Sequence, residues 1–316
     1  MTGGELLAFW NYHFLSMPHI TILQPQNFSF KECLWFLDRN YDDCLYHVSA
    51  ASVIKPLRID GQKVIFELRE NGEGLAVEIL HNESGKDHAD EITAYVKDWL
   101  DLERDLSGFY QLLAKHHAFD YMPEEFAGLR LIGIPDVFEA ICWCIIGQQI
   151  NLTFAYKLKR RMVELYGESV EIDGQVHHFF PKPEVLAEAT MEDLKELQFS
   201  RQKADYVIHV AGLISSGEFS KAELLALADR EAQLKRLISV RGIGEWTANY
   251  VLMKTLKDMN CITIGDTGLN SALDAHGLVK DKKDKAEVRA FFDGFEGWKS
   301  YLVIYLWRSL TSPDVK

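Results

Sequence analysis

Three side chains in this 316-residue sequence have types and spacing that invite chemistry: Asp266, Trp246 and Tyr250. Asp266 precedes TGLNSAL, a helix-forming run, and so reads as an N-cap. A carboxylate there accepts bonds from free backbone N–H groups and faces the positive end of the helix dipole. It becomes a fixed anion, ionised at neutral pH, able to stabilise positive charge developing on a sugar ring. Capping alone also accounts for an Asp in that place. Trp246 and Tyr250 stand one helical turn apart. Rings so spaced usually pack a core, but their electron-rich faces also attract a cation.

The neighbourhood decides between these readings. Upstream, LKRLISVRGIGEWTANYVLMKTLKD reads as helix, tight turn, helix. Gly242 and Gly244 permit positive φ and expose consecutive N–H groups at the start of the second helix, a ready phosphate site. Ile243 between them can plug back into the helix pair. Gly-x-Gly on its own is only a tight connection. Here five basic residues, Lys235, Arg236, Arg241, Lys254 and Lys257, accompany one acid, Glu245, over 235–257. They imply a local positive surface.

Composition bears on that point. The formal net charge is −13, which disfavours a phosphate-binding partner. The acid is concentrated early, however. Residues 1–125 hold 10 basic and 21 acidic side chains, and residues 126–316 hold 24 and 26. Only the local field acts on a docked polyanion. The chain is 47% hydrophobic, ordinary for a globular protein. Cys33, Cys44, Cys142, Cys144 and Cys261 form no C-x-x-C pair and no four-cysteine cluster. The odd count, and an N-terminus without a basic-then-apolar leader, point to a reducing, cytoplasmic setting. No apolar run is long enough to span a membrane.

The elements that must position these groups fall into two regions. A strand at 19–24, a helix at 28–39 and strands at 45–50, 52–59, 62–69 and 74–81 are separated by Asp60-Gly61 and Asn71-Gly72-Glu73-Gly74. A helix at 88–105 follows. This is an α+β unit, an antiparallel sheet with helices on one face. From about residue 106 the pattern is helical: a helix after Pro135-Asp136, others at 152–166, 182–190, 191–198 and 201–215. An Asp-Gly hairpin at 170–180 interrupts them.

GIGEWTANY, followed by the Thr263-Ile264-Gly265 loop and by Asp266 24 residues beyond Gly242, resembles the helix-hairpin-helix (HhH-GPD) DNA glycosylase superfamily. Within it the chain is similar to the bacterial 3-methyladenine DNA glycosylase II branch. Four further segments match in order: GIPDVFEAICWCIIGQQINLTFAYKLKRRMVELYGE, FPKPEVLAEAT, SRQKADYVIHVA and GWKSYLVIYLWRSL. The resemblance implies a TBP-like N-terminal domain over 1–105. It implies an all-α helix-hairpin-helix glycosylase domain pair over 106–316, the last helices packing back on the middle domain. It implies hydrolytic release of alkylated, cationic purines such as 3-methyladenine and 7-methylguanine from damaged double-stranded DNA by a monomer.

Carried over residue by residue, Asp266 takes the catalytic place and Trp246, Tyr250 and Trp298 line the base pocket. Arg241, Gly242, Ile243, Gly244 and Thr247 contact DNA with Gln148 and Gln149, Gln149 being the tip that fills the gap left by a flipped base. Carbonyls of Ile238, Val240 and Ile243 would hold a structural monovalent cation; no cofactor takes part in the chemistry. Arg241 replaces the hairpin proline common in the family, and the wedge tip is polar. A glycosylase/lyase would need a lysine where Trp246 stands. A non-catalytic helix-hairpin-helix DNA-binding protein would need neither Asp266 nor an aromatic pocket. The missing four-cysteine cluster excludes the iron–sulfur branch.

Overall fold

The computed structural model describes residues 20–39 and 41–311. The first residue of the expected strand 19–24 and the N-terminal stretch before it lie outside the described residues. Five antiparallel strands pair in the order β1-β5-β4-β3-β2. They are β1 (Ile20–Ile22), β2 (His47–Val48), β3 (Ser52–Ile59), β4 (Gln62–Asn71) and β5 (Gly74–Asn82). Asp60 and Gly61 join β3 to β4 with φ of 50° and 79°, the twist-matched two-residue turn that Asp-Gly favours. Val53, Val64, Phe66, Leu68, Leu75 and Val77 are buried from the sheet. They share one core with α1 (Phe30–Leu37) and α2 (Ala89–Leu100). The helix expected to reach residue 105 ends at Leu100, because Asp101 turns into the left-handed region at φ 49°.

The helical region contains α3 (Ser107–Leu113), α4 (Met122–Glu125), α5 (Val137–Gly147), α6 (Leu152–Tyr166), α7 (Pro183–Ala187), α8 (Met191–Glu196), α9 (Arg201–Ser215) and α10 (Lys221–Ala226). It continues through α11 (Arg230–Ile238), α12 (Glu245–Thr255), α13 (Thr267–Ala275), α14 (Lys285–Phe292) and α15 (Lys299–Ser309). The hairpin of β6 (Glu168–Ile172) and β7 (Gln175–Phe179) turns at Asp173-Gly174. Side-chain caps set many of the helix starts: Asp136 for α5, Asn151 for α6, Ser200 for α9, Asp229 for α11 and Asp284 for α14. α5 is apolar nearly all round and sits centrally, against α9 and α12.

The two regions are tied by polar contacts inside the core. Arg130 is fully buried, and its guanidinium donates to the carbonyls of Gln26, Asn27, Asp101 and Arg104. At the other end of the chain, α15 reaches back to the first region. The Tyr301 hydroxyl donates to Asp101 at 2.7 Å, and Arg308 pairs with Glu32 of α1 at 2.7 Å. Arg130→Met removes four charge-assisted bonds and strands buried carbonyls. We expect a loss of about 3 kcal/mol or more, read as a lower urea midpoint with unchanged slope.

Candidate active site

α12 begins without a side-chain cap, because its N-cap is Gly244. Its first-turn N–H groups are therefore left for a ligand. Gly242 has φ 97°, and a Cβ there would meet the Tyr206 ring at 2.5 Å, so this position needs glycine twice over. Gly244 has open space around it. Ile243 is buried between the helices, as its apolar character predicts, and its N–H bonds Val240 O at 3.1 Å to close the turn. Beside the hairpin, Gln148 donates from Nε2 to Gly242 O at 3.1 Å, so its amide braces the hairpin. Gln149 follows with φ 56°, an uncommon conformation for a side-chain-bearing residue and consistent with a displayed loop tip. Lys203 fastens the loop from below, donating to Ile146 O at 2.7 Å.

The expected positive surface is corrected by the packing. Lys254 is buried, and Lys257 turns inward to Leu131 O, burial pushing its amine down to about 8. Arg236 pairs with Glu223 at 2.6 Å and Arg241 with Asp205 at 2.9 Å. Of the five, Lys235 alone is exposed with no carboxylate at ion-pair distance among the described residues. The Thr247 side chain is also buried, which leaves only its backbone for a phosphate. What the hairpin offers an anion is mainly N–H groups and the helix dipole.

Asp266 caps α13 as its sequence context predicts. Its Oδ1 accepts from Leu269 N–H at 2.8 Å and from the Trp307 indole N–H at 2.9 Å. Both bonds fall on one oxygen, so Oδ2 is the less committed of the two. Burial nevertheless pushes its pKa above the ordinary value; the N–H donors and the Arg39 charge pull the other way. The direction of the shift is thus set by burial and not by the cap. Gly268 keeps the corner tight: a Cβ there would lie 3.1 Å from both Asp266 Oδ1 and the Trp307 ring.

Trp246 and Tyr250, both half-buried, stack at 5.3 Å between centroids along one face of α12. Trp298 is not with them. It stacks on Phe109 at 5.5 Å and meets Tyr301 edge-on, in the core at the start of α15. The tryptophan that touches the carboxylate is Trp307, nine residues on and about 14 Å along the helix. Both tryptophans lie in one apolar helix, and their shared type hid which end meets α13. Three other aromatics were also missed: Trp143 packs on Tyr156 at 4.7 Å, and Tyr156 stacks on Tyr41 at 5.0 Å. Arg39, just beyond α1, lies 4.3 Å above the Phe36 ring, and its charge acts on Asp266, Tyr250 and Tyr156. A cavity of about 60 Å³, lined by Arg39, Phe36, Trp143, Tyr156, Tyr250 and Lys254 among others, opens beside these groups. A wider groove of about 580 Å³ shares none of them and has a lining of mixed charge, Asp90, Asp98, Asp101 and Glu103 beside Lys97, Arg104 and Lys257.

Comparison with known proteins bears on this arrangement. Residues 142–296 match the model of the HhH-GPD superfamily base excision DNA repair proteins, and residues 19–141 match the 8-oxoguanine DNA glycosylase N-terminal domain. A DNA-3-methyladenine glycosylase of Bacillus subtilis is 35% identical over 92% of this chain and 97% of its own length. DNA-3-methyladenine glycosylase 2 of Escherichia coli is 30% identical over 57% of this chain and 60% of its own. The solved 3-methyladenine DNA-glycosylase of Archaeoglobus fulgidus shares the fold with a TM-score of 0.76 at 24% identity, covering 94% of this chain and all of that one. A DNA-bound 8-oxoguanine glycosylase/lyase of Clostridium acetobutylicum shares it with a TM-score of 0.66 at 18% identity, covering 85% of this chain and 98% of that one.

An α+β region followed by a helix-hairpin-helix, with a carboxylate at the next helix N-terminus, defines a DNA glycosylase of base excision repair. The chain belongs to the HhH-GPD superfamily.

The open space at Gly244 generates a test. Its φ of −93° suits any residue, so Gly244→Val keeps the fold while covering the N–H groups. We expect the Kd for damaged and undamaged duplexes to rise alike, roughly tenfold, in fluorescence anisotropy. A rise confined to damaged DNA would remove the hairpin from phosphate binding.

Proposed function

We propose that the chain hydrolyses the N-glycosidic bond of alkylated, cationic purines such as 3-methyladenine and 7-methylguanine in duplex DNA, as a monomer and without a lyase step. The observation that carries this reading is the Asp266–Trp307 contact: it sets an aromatic ring beside a carboxylate at a helix N-terminus. The names of the B. subtilis and E. coli relatives point to the same substrate class. Trp246 occupies the place where a lyase would need its lysine, which favours simple hydrolysis.

The hairpin N–H groups grip a phosphate, Gln149 takes the place of the extruded nucleotide, and the base turns toward Tyr250 and Trp307. Electron-rich faces hold a cationic purine better than a neutral one of the same shape, by about 1–2 kcal/mol in a dry site. The purine leaves with the electron pair of the glycosidic bond and loses its formal charge. Asp266 stabilises the resulting sugar cation, and water adds to the anomeric carbon and gives up a proton to the surrounding solvent. The Ile238, Val240 and Ile243 carbonyls, on one turn beneath the hairpin, would hold a monovalent cation that braces it; their oxygens suit such an ion. No described helix is long and apolar enough to cross a membrane, and we place the reaction on cytoplasmic DNA.

Asp266→Asn keeps a cap acceptor and removes the charge. We expect base release to fall by on the order of 10²–10³-fold with duplex binding retained. The native pKa of Asp266 lies above its unfolded value, so the ionised group costs stability once pH exceeds the unfolded value. The Asn variant should therefore melt at or above the wild-type temperature at pH 7.5. Near-normal turnover would remove Asp266 from the chemistry.

Trp307→Phe deletes a donor to Oδ1. Hydrogen bonds to a carboxylate favour its charged form, so the variant's Asp266 pKa rises further. Activity requires the anion and is lost as pH falls. We expect the acid limb of the single-turnover rate profile to move to higher pH. Trp298→Phe, altered in the core, should leave the limb in place.

A further inference from the structure

Trp246, Tyr250 and Lys254 follow one another at intervals of four, and so run down one face of α12. The first stands at the hairpin end and the last about 12 Å deeper. Lys254 is 1% exposed, lines the cavity, and its Nζ has no hydrogen-bond partner among the described residues. Its one close companion is the Phe36 ring, 4.4 Å from Nζ to centroid. An amine buried without a partner is costly, so ordinary packing does not account for a lysine here. Two other buried donors are unpartnered nearby: Arg39 Nε at the same cavity, and Trp246 Nε1 on the ring stacked against Tyr250. The fully buried atoms left unpartnered around the cavity are thus all N–H, while the carboxylates that also line it, Asp43 and Glu139, are each paired with Lys159. The about 60 Å³ that remains holds roughly four waters, enough to solvate these donors until a base displaces them.

We propose that Lys254 is the specificity residue at the floor of the base pocket, donating to a carbonyl on the inner edge of the flipped base. The inference rests on the functional reading above and sharpens it. Among alkylated purines, one with an oxygen at C6, as in 7-methylguanine, meets the floor with an acceptor. One with an amino group there, as in 3-methyladenine, meets it with more N–H. Burial, together with the charges of Lys257 and Arg39, lowers the Lys254 pKa well below its ordinary value. Burial thus favours the neutral amine, a form that still donates and sets no ammonium against a cationic base.

The test uses the full chain, wild type and two variants. Lys254→Met keeps the length and the contact with Phe36 but removes the donor; Lys254→Gln keeps a shorter donor. Single-turnover release is measured for 7-methylguanine, hypoxanthine and 3-methyladenine in otherwise identical duplexes, and thermal melting for each protein without DNA. We expect Lys254→Met to reduce release of the two 6-oxo bases roughly tenfold or more relative to 3-methyladenine. Lys254→Gln should restore part of the difference. The Met variant should also melt at or above the wild-type temperature, since no buried amine is left unpaired. Equal effects on all three bases, or an unchanged ratio in the Met variant, would overturn the role of Lys254 while leaving the glycosylase reading intact. Failure of the wild type to release any of the three would overturn the substrate reading itself, and this inference with it.

Discussion

A single carboxylate oxygen, Asp266 Oδ1, joins α13 to α15 at the N-terminal end of α13, while His276 and Ser309 join the same two helices at its other end. It accepts the Leu269 N–H of its own helix and the indole N–H of Trp307 on α15. The position of the anion is therefore set jointly by α13 and α15. α15 in turn is held by the opposite end of the chain, through Arg308 on Glu32 and Tyr301 on Asp101. The Arg130 guanidinium secures the same seam from four carbonyls. The sheet and its helices thus do more than add bulk. They are the abutment against which the Asp266 corner is fixed, and they supply Arg39 and Phe36 to the cavity wall.

The charge distribution follows a similar economy. An acidic chain that must meet a polyanion has few free cations on its hairpin, because Arg236 and Arg241 are neutralised by Glu223 and Asp205. In the proposed mode of binding, backbone N–H groups at an uncapped helix carry the contact instead. These do not titrate and need no counterion. The same physics places Asp266 at a helix N-terminus, yet there burial exceeds the effect of the donors.

Local rules made much of this legible. Asp60-Gly61, Asn71-Gly72-Glu73-Gly74 and Asp173-Gly174 located three two-residue turns, and Asp136, Asn151, Ser200 and Asp266 marked helix starts. Gly242, Ile243 and Gly244 behave as their types dictate. The errors lie where tertiary packing decides. Lys254 and Lys257 counted as surface charge, but α12 is buried on nearly every side, so its period does not separate inside from outside. Trp298 and Trp307 share a helix apolar along its length, and only contact with α13 tells them apart. Arg39 lies more than two hundred residues before Asp266, and nothing local links them.

The split between α13 and α15 has a consequence in time as well as in space. Trp307 follows Asp266 by 41 residues. At about 5–20 residues per second, a ribosome delivers the second roughly 2–8 seconds after the first. Through that interval a nascent chain already owns the hairpin and the carboxylate, but the carboxylate lacks the indole that orients it. Because the corner closes only when α15 docks, the carboxylate acquires the indole bond late in synthesis, after the residues of the hairpin have already been made.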